Sequence, residues 1–248
     1  MEKNTSWLTE KPVAHRGLHD NITIPENSLA AYKNAVEHGY PIEFDIHLTN
    51  DNKLVLHHDS TLLRTCGMKA RIKNIDTNNL EKYKLFKTDE HIPTFDQILE
   101  VVDGKVGLII EIKKTSRPAT VCKLVMERLK TYKGNYCIES FDLNVVNYMH
   151  RHYPEVILGQ LYDYIPWQRF AALSALQHLK VDFMAVCILN GEYKRYMNIK
   201  KNHPNLLFIA WTVRTKEQQE LAKRIYHNYI FECNIKNPSY IEMPTITK

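Results

Sequence analysis

Short apolar, β-branched runs alternate along this chain with longer stretches of helical periodicity, the pattern that βα units around a parallel sheet impose. The first run is VAH at 13–15. The first helix is predicted over 26–39, with Leu29, Tyr32, Ala35 and Val36 on its inward stripe, Asn27 or Ser28 as its cap and Gly39 as its stop. IEFDIHL at 42–48 and KLVLHH at 53–58 follow, joined through Thr49, Asn50, Asp51 and Asn52, a turn composition. After an irregular stretch the alternation resumes with strands at 106–113, 136–140, 156–161, 181–186, 206–211 and 229–233. Helices are predicted near 94–103, 117–131, 142–152, 166–178, 191–202 and 215–227. Counting KLVLHH as an extension of the second unit leaves eight strands, the arithmetic of a closed α/β (β/α)8 barrel, a TIM barrel. An open doubly wound sheet is the competitor, but the first turn offers only Gly17, and neither a dinucleotide nor a Walker motif is present.

Residues 60–93 break the rhythm, holding Gly67, several Lys and Asn, and the short helical segment NNLEKYKLF. They are read as a small lobe inserted after the second strand of one domain spanning 1–248. With 44% hydrophobic and 25% charged residues, the composition is globular. Thirty-three Lys and Arg against 28 Asp and Glu give +5, dispersed rather than gathered in a stripe, so no nucleic-acid partner is expected. Cys66, Cys122, Cys137, Cys187 and Cys233 form no CxxC pair and read as scattered thiols of a reducing compartment. Residues 1–12 lack the apolar run of a signal peptide, and no stretch approaches the ~20 apolar residues that span a bilayer. A cytoplasmic protein without a transmembrane segment is expected.

Glu43 and Asp45 sit two apart on IEFDIHL and leave the same face of the strand, while Ile42, Phe44 and Ile46 occupy the other. Two carboxylates aimed together repel unless protons or a cation join them, and a hard divalent metal is the usual solution. Glu111 and Lys113 repeat the spacing at the end of VGLIIEIK. Acids at the carboxyl ends of different strands stand where a barrel builds its active site. His15 and Arg16 end the first strand before Gly17, and His57, His58 and Asp59 end KLVLHH. Strand parity points His57 and His58 apart, so one of them faces the site, with Asp59 orienting that ring or closing the turn. Carboxylates, two imidazoles, Arg16 and Lys113 make an inventory suited to phosphoryl chemistry, in which cations take the charge of the oxygens and imidazoles move protons.

HRG at 15–17, PENSLAAYKNAVEHG at 25–39, IEFDIHLTNDNKLVLHHDSTLLRTCG at 42–67 and IEIK at 110–113 together resemble the glycerophosphodiester phosphodiesterase family. IP at 92–93, SFD at 140–142, PEVILGQL at 154–161 and AWTV at 210–213 extend the likeness over nearly the whole chain. The resemblance implies a (β/α)8 barrel with an insertion after the second strand, and a phosphoric diester hydrolase of lipid and glycerol metabolism. Its substrates would be small glycerophosphodiesters such as glycerophosphocholine or glycerophosphoethanolamine, released as glycerol 3-phosphate and an alcohol. It implies Glu43, Asp45 and Glu111 as ligands of one Mg²⁺ or Ca²⁺, His15 and His58 as the acid/base pair, and Arg16 and Lys113 as phosphate-facing cations. A lysophospholipase D-like activity with transient lipid contact is the alternative activity. The rivals outside the family are a different metal-dependent barrel enzyme and a non-catalytic ligand-binding barrel.

Trp211 ends the seventh strand, either against the glycerol carbons of a substrate or as a barrel cap. Ser140 and Gln160 stand at strand ends for substrate or for structure, and Tyr162, Tyr164 and Trp167 for a pocket wall or for loop packing. Two positions depart from the family pattern. Arg214 follows TrpThrVal where Asn is common, and the last strand reads NYIFECNIKNP, putting Glu232 or Asn234 near the rim. Arg214 there is a candidate reader of an anionic headgroup.

Overall fold

In the barrel strands alternate residues face opposite sides, and both sides are largely apolar apart from acids such as Glu43, Asp45, Glu111 and Glu139, so the strands are buried twice over, once inside a barrel and once under a helical coat. The computed structural model describes residues 3–163, 180–188, 199–233 and 241–244. The barrel strands are β1 (Val13–His15), β2 (Ile42–Leu48), β4 (Leu108–Ile112), β5 (Tyr136–Ser140), β6 (Leu158–Tyr162), β7 (Phe183–Cys187), β8 (Leu207–Val213) and β9 (Asn228–Phe231). They run parallel, and β1 pairs with both β2 and β9, which closes the ring. β3 (Leu54–Leu56) folds back antiparallel on β2 and is not a barrel strand, so KLVLHH extends the second unit.

Between the strands lie α2 (Leu29–Glu37), α4 (Phe95–Val102), α5 (Pro118–Leu129), α6 (Leu143–His152) and α7 (Lys216–Ile225). Ser28 caps α2 by accepting from Ala31 N at 3.1 Å, while Thr94 with Gln97 and Thr215 with Gln218 form capping boxes on α4 and α7. Ile42, Phe44, Ile46, Ile110 and Ile138 join the coat of helices in one apolar cluster. Val13, Ile109, Cys137, Phe183, Ile209 and Ile230 fill the barrel interior as another. The floor of that interior is sealed by Trp7 and Leu8 of α1 (Trp7–Glu10). Gly159 leaves room for the ring of Phe183, its partner on the neighbouring strand β7, since a Cβ there would stand 2.2 Å from it.

Residues 60–93 hold α3 (Leu63–Cys66) and two 3₁₀ turns, Ile72–Asn74 and Thr77–Lys82. Leu62, Ile72, Ile75, Leu80, Leu85 and Ile92 give this segment an apolar cluster of its own, anchored on Val55 of β3. The segment expected to be helical, NNLEKYKLF, is the second 3₁₀ turn followed by irregular chain. The helix expected near 166–178 and most of that near 191–202 lie outside the described residues.

Candidate active site

The barrel register sets the site. His15 pairs with Glu43, Asp45 with Glu111, and Glu111 with Glu139, so the interior faces of four adjacent strands bring their polar ends to one level. Glu43, Asp45 and Glu111 are buried, and their ligand oxygens lie within 4.8 Å of one another. Lys113 Nζ stands 2.9 Å from both Asp45 and Glu111. Arg16 reaches over from the β1 turn, its backbone N–H donating to Glu43 Oε2 at 3.2 Å and its Nε 3.4 Å from Asp45 Oδ2. Asn27 Nδ2 donates to that same Asp45 oxygen at 2.8 Å, and Tyr32 holds Asn27 by donating its hydroxyl to Oδ1 at 2.8 Å.

The turn that carries Arg16 depends on Gly17, whose φ of +80° would strain any other residue and whose missing Cβ would meet Ala31 at 2.8 Å. It folds the chain back over the start of α2, where Asn27 N donates to Arg16 O at 3.0 Å.

Burial and neighbouring carboxylates push Glu43 and Glu139 well above the usual carboxylate range, and burial raises Glu111 to about 7 against the pull of Lys113. Burial works the same way on Asp45, but Lys113 and Arg16 outweigh it and hold that carboxyl well below its usual range. Four buried carboxylates thus face two cations, and Glu139 Oε2 has no hydrogen-bond partner among the described residues. Hard oxygen donors in this number, crowded and undercompensated, fit a divalent cation. Glu43, Asp45 and Glu111 are the residues that can hold it.

Two imidazoles flank this centre. His15 Nδ1 lies 2.5 Å from Glu232 Oε1, and its Nε2 is 3.7 Å from Glu43. His58 Nδ1 lies 2.7 Å from Asp59 Oδ1. Burial lowers His15 to about 4, the neighbouring Arg16 adding to the effect. His58 is lowered chiefly by burial too, and feels the charges of Asp45, Lys113 and Arg16. His57 turns away into the 60–93 segment, with Asp59 O 2.7 Å from Nδ1 and Thr65 Oγ1 2.7 Å from Nε2.

The sequence model of the Glycerophosphoryl diester phosphodiesterase family matches residues 15–231, which contain nearly all of this site. The chain belongs to this family. A glycerophosphodiester phosphodiesterase of Caldanaerobacter subterraneus is 30% identical over 223 residues, covering 84% of this chain and 87% of its own length. An Oleispira antarctica phosphodiesterase, solved in complex with the product sn-glycerol-3-phosphate, superposes with a TM-score of 0.78 at 22% identity over 91% of this chain and 93% of that one. A glycerophosphodiester phosphodiesterase of Thermotoga maritima gives 0.74 at 23% identity, over 89% and 94%. The chain is therefore a phosphoric diester hydrolase of the glycerophosphodiester phosphodiesterase family, with the family's barrel.

Within this phosphodiesterase, His15, Arg16, Glu43, Asp45, His58, Glu111 and Lys113 are gathered around one centre. Trp211 lines the barrel interior at a higher level, edge-on to Phe141 at 5.6 Å, its indole N–H buried and unpartnered among the described residues. Ser140 and Gln160 face outwards and are structural: Ser140 Oγ donates to Ile112 O at 2.6 Å, and Gln160 Nε2 donates to Ser140 O at 3.0 Å. Tyr162 packs in the helical coat. Tyr164, Trp167 and Asn234 lie outside the described residues. Arg214 does not present a free guanidinium to a headgroup, because it grips Glu232 through Nε at 2.7 Å and Nη2 at 3.0 Å.

Several residues around the centre carry no local signal. Glu26 holds both Arg16 and Arg64, each at 2.7 Å, and Arg64 also donates through Nε to Asp59 Oδ2 at 2.8 Å. His19 is buried on both ring nitrogens without a partner among the described residues, and burial lowers its basicity beside Glu232, Glu26 and Arg16. Glu26 and Arg64 are 38 residues apart and His19 has no partner among the described residues, so spacing reveals neither; only the PEN and HD motifs marked the neighbourhood of Glu26 and Asp59.

Proposed function

We propose that this protein hydrolyses glycerophosphodiesters, such as glycerophosphocholine or glycerophosphoethanolamine, to glycerol 3-phosphate and an alcohol, with His15 and His58 as its proton-transfer pair. The observation that carries the reading is the pairing of a buried acidic centre with two imidazoles on its flanks, each anchored through Nδ1 to a carboxylate. Anchoring at Nδ1 leaves Nε2 of each ring as the atom that exchanges a proton with substrate. Arg16 and Lys113 stabilise the charge that grows on the phosphoryl oxygens. One imidazole takes the proton of the glycerol hydroxyl as that oxygen attacks phosphorus, and the other gives a proton to the departing alcohol oxygen. Water then opens the cyclic phosphate by reverse use of the pair; direct attack by water needs the same two proton transfers. Glu43, Asp45 and Glu111 would hold a Mg²⁺ or Ca²⁺ ion, which would supply Lewis acidity to the reaction. Trp211 packs on the glycerol carbons. The remaining parts of the proposal are one barrel domain with 60–93 as its inserted lobe, acting in the cytoplasm. No described helix is long and apolar enough to cross a membrane.

A coupled assay for glycerol 3-phosphate, run over several glycerophosphodiesters and a lysophospholipid, tests the reaction. Activity should disappear with EDTA and return on adding Mg²⁺ or Ca²⁺. His15→Ala and His58→Ala should each cut turnover about 10²–10⁴-fold with substrate binding largely kept. Near-normal turnover in both variants would end the assignment.

A further inference from the structure

We propose that Glu232, clamped by Arg214, is the positioning residue of His15: it accepts a hydrogen bond from Nδ1–H, fixes the tautomer whose Nε2 is free, and holds the ring towards the acidic centre. This rests on His15 being one of the two proton-transfer groups. The arrangement follows from the barrel closure. β1 pairs with β9 through Ala14 and Phe231, so His15 and Glu232 are the next inward residues on neighbouring strands. Glu232 N donates to Val213 O at 3.0 Å, which continues the ladder to β8 and places Arg214 beside it. The contacts then run Arg214 Nε to Glu232 Oε2 at 2.7 Å, Arg214 Nη2 to Glu232 Oε1 at 3.0 Å, and Glu232 Oε1 to His15 Nδ1 at 2.5 Å.

A carboxylate gripped at both oxygens by the planar guanidinium fork has one orientation, and it transmits that orientation to the ring it accepts from. The same construction stands on the other flank, built from unrelated parts of the chain. Arg64 grips both oxygens of Asp59 at 2.8 and 3.1 Å, and Asp59 meets His58 Nδ1 at 2.7 Å. Each imidazole therefore carries an arginine-backed carboxylate. Arg214 and Glu232 are one device, since the arginine without the acid would leave a guanidinium beside His15, and the acid without the arginine would swing freely.

The test uses the full chain with Mg²⁺ or Ca²⁺ present and glycerophosphoethanolamine as probe, comparing Glu232→Ala, Glu232→Gln, Arg214→Ala, His15→Ala and the double variant H15A/E232A. Glu232→Ala should lower kcat about 10–100-fold with KM changed less than about threefold, the range that carboxylates orienting metal-bound imidazoles show. Glu232→Gln should recover part of the loss, because its carbonyl oxygen still accepts from Nδ1–H. The double variant should be no slower than His15→Ala, since Glu232 acts only through that ring. Nitrogen-15 NMR of labelled histidine supplies a readout independent of turnover. It should show His15 protonated at Nδ1 in the parent protein and a mixture of tautomers in Glu232→Ala. Full kcat in Glu232→Ala beside an inactive His15→Ala overturns this proposal and leaves the role of His15 standing. An active His15→Ala overturns the underlying reading instead. A further loss in the double variant, or an Nε2–H tautomer in the parent, also overturns the proposal. Should Glu232→Ala fail to fold, Glu232→Gln and the parent's tautomer decide.

Discussion

Burial opposes ionisation of Glu26, yet the hydrogen bonds from Arg64 and the charges of Arg16 and Arg64 outweigh it and push the carboxyl down to about 2. Its pKa is depressed on folding, so its contribution to stability is present above the ordinary carboxylate range and is lost as pH falls through that range towards about 2. A shift of that size corresponds to roughly 3 kcal/mol at neutral pH. Glu26→Gln should therefore lower the melting temperature at pH 7 by about 6–12 °C, a gap that narrows as pH falls from about 4.5 towards 2. A gap independent of pH would show that the charge of Glu26 carries none of the effect. Residues of this kind are where reading the sequence stops. Glu43, Asp45, Glu111 and Lys113 are legible because strand parity is a local property with a period of two. Asn27 reads from sequence only as a candidate cap, whereas Ser28 caps α2 and Asn27 has turned to Asp45, eighteen residues away. Glu232 and His15 are 217 residues apart and meet only because the barrel closes.

At the level of elements, the strands and helices follow from periodicity, while their ends are set by pairing. The run read as 181–186 is paired from Phe183 to Cys187, where β6 and β8 supply partners. Helix α1 is four residues, WLTE, too short to show a period, and its signature is tertiary. Trp7 lies against Gly107, where a Cβ would stand 2.4 Å from the ring, and Asn228 donates at 2.6 Å to both Leu8 O and Lys11 O to hold the segment under the barrel. Trp7→Ala should thus empty the barrel floor and cost about 3–5 kcal/mol. The acidic centre lies at the opposite mouth of the strands, so the folded variant should keep kcat within about twofold, as stability at one face and chemistry at the other predict. Urea denaturation with parallel turnover measurements checks both halves; a collapse of kcat in protein shown to be folded would mean that the floor positions the site.

Over the whole molecule, a net charge of +5 spread along the sequence hides a local concentration that only the fold creates. Arg71 and Lys73, from the 60–93 segment, and Lys114 and Arg117, after β4, line one cavity of about 250 Å³ together with Lys113 of the acidic centre. No Asp or Glu lines it among the described residues. Four of these cations are exposed, and the fifth joins the cavity to the acidic centre, so the field should draw a diester whose alcohol carries no positive charge towards the barrel mouth, whereas zwitterionic glycerophosphocholine and glycerophosphoethanolamine offer it no net charge. Steering of this kind acts on encounter and leaves the chemical step alone. Reversing two charges with R71E/K73E should raise KM about 3–10-fold at low ionic strength and leave kcat unchanged. Screening must then erase the difference, since the Debye length shrinks from about 10 Å at 0.1 M salt to about 3 Å at 1 M. Parent and variant KM values should accordingly converge as salt is added, with the parent value rising to meet the variant's. Equal KM at every salt concentration would show that these side chains are a solvated face with no part in capture. A salt-independent difference would instead place them in direct contact with the bound diester.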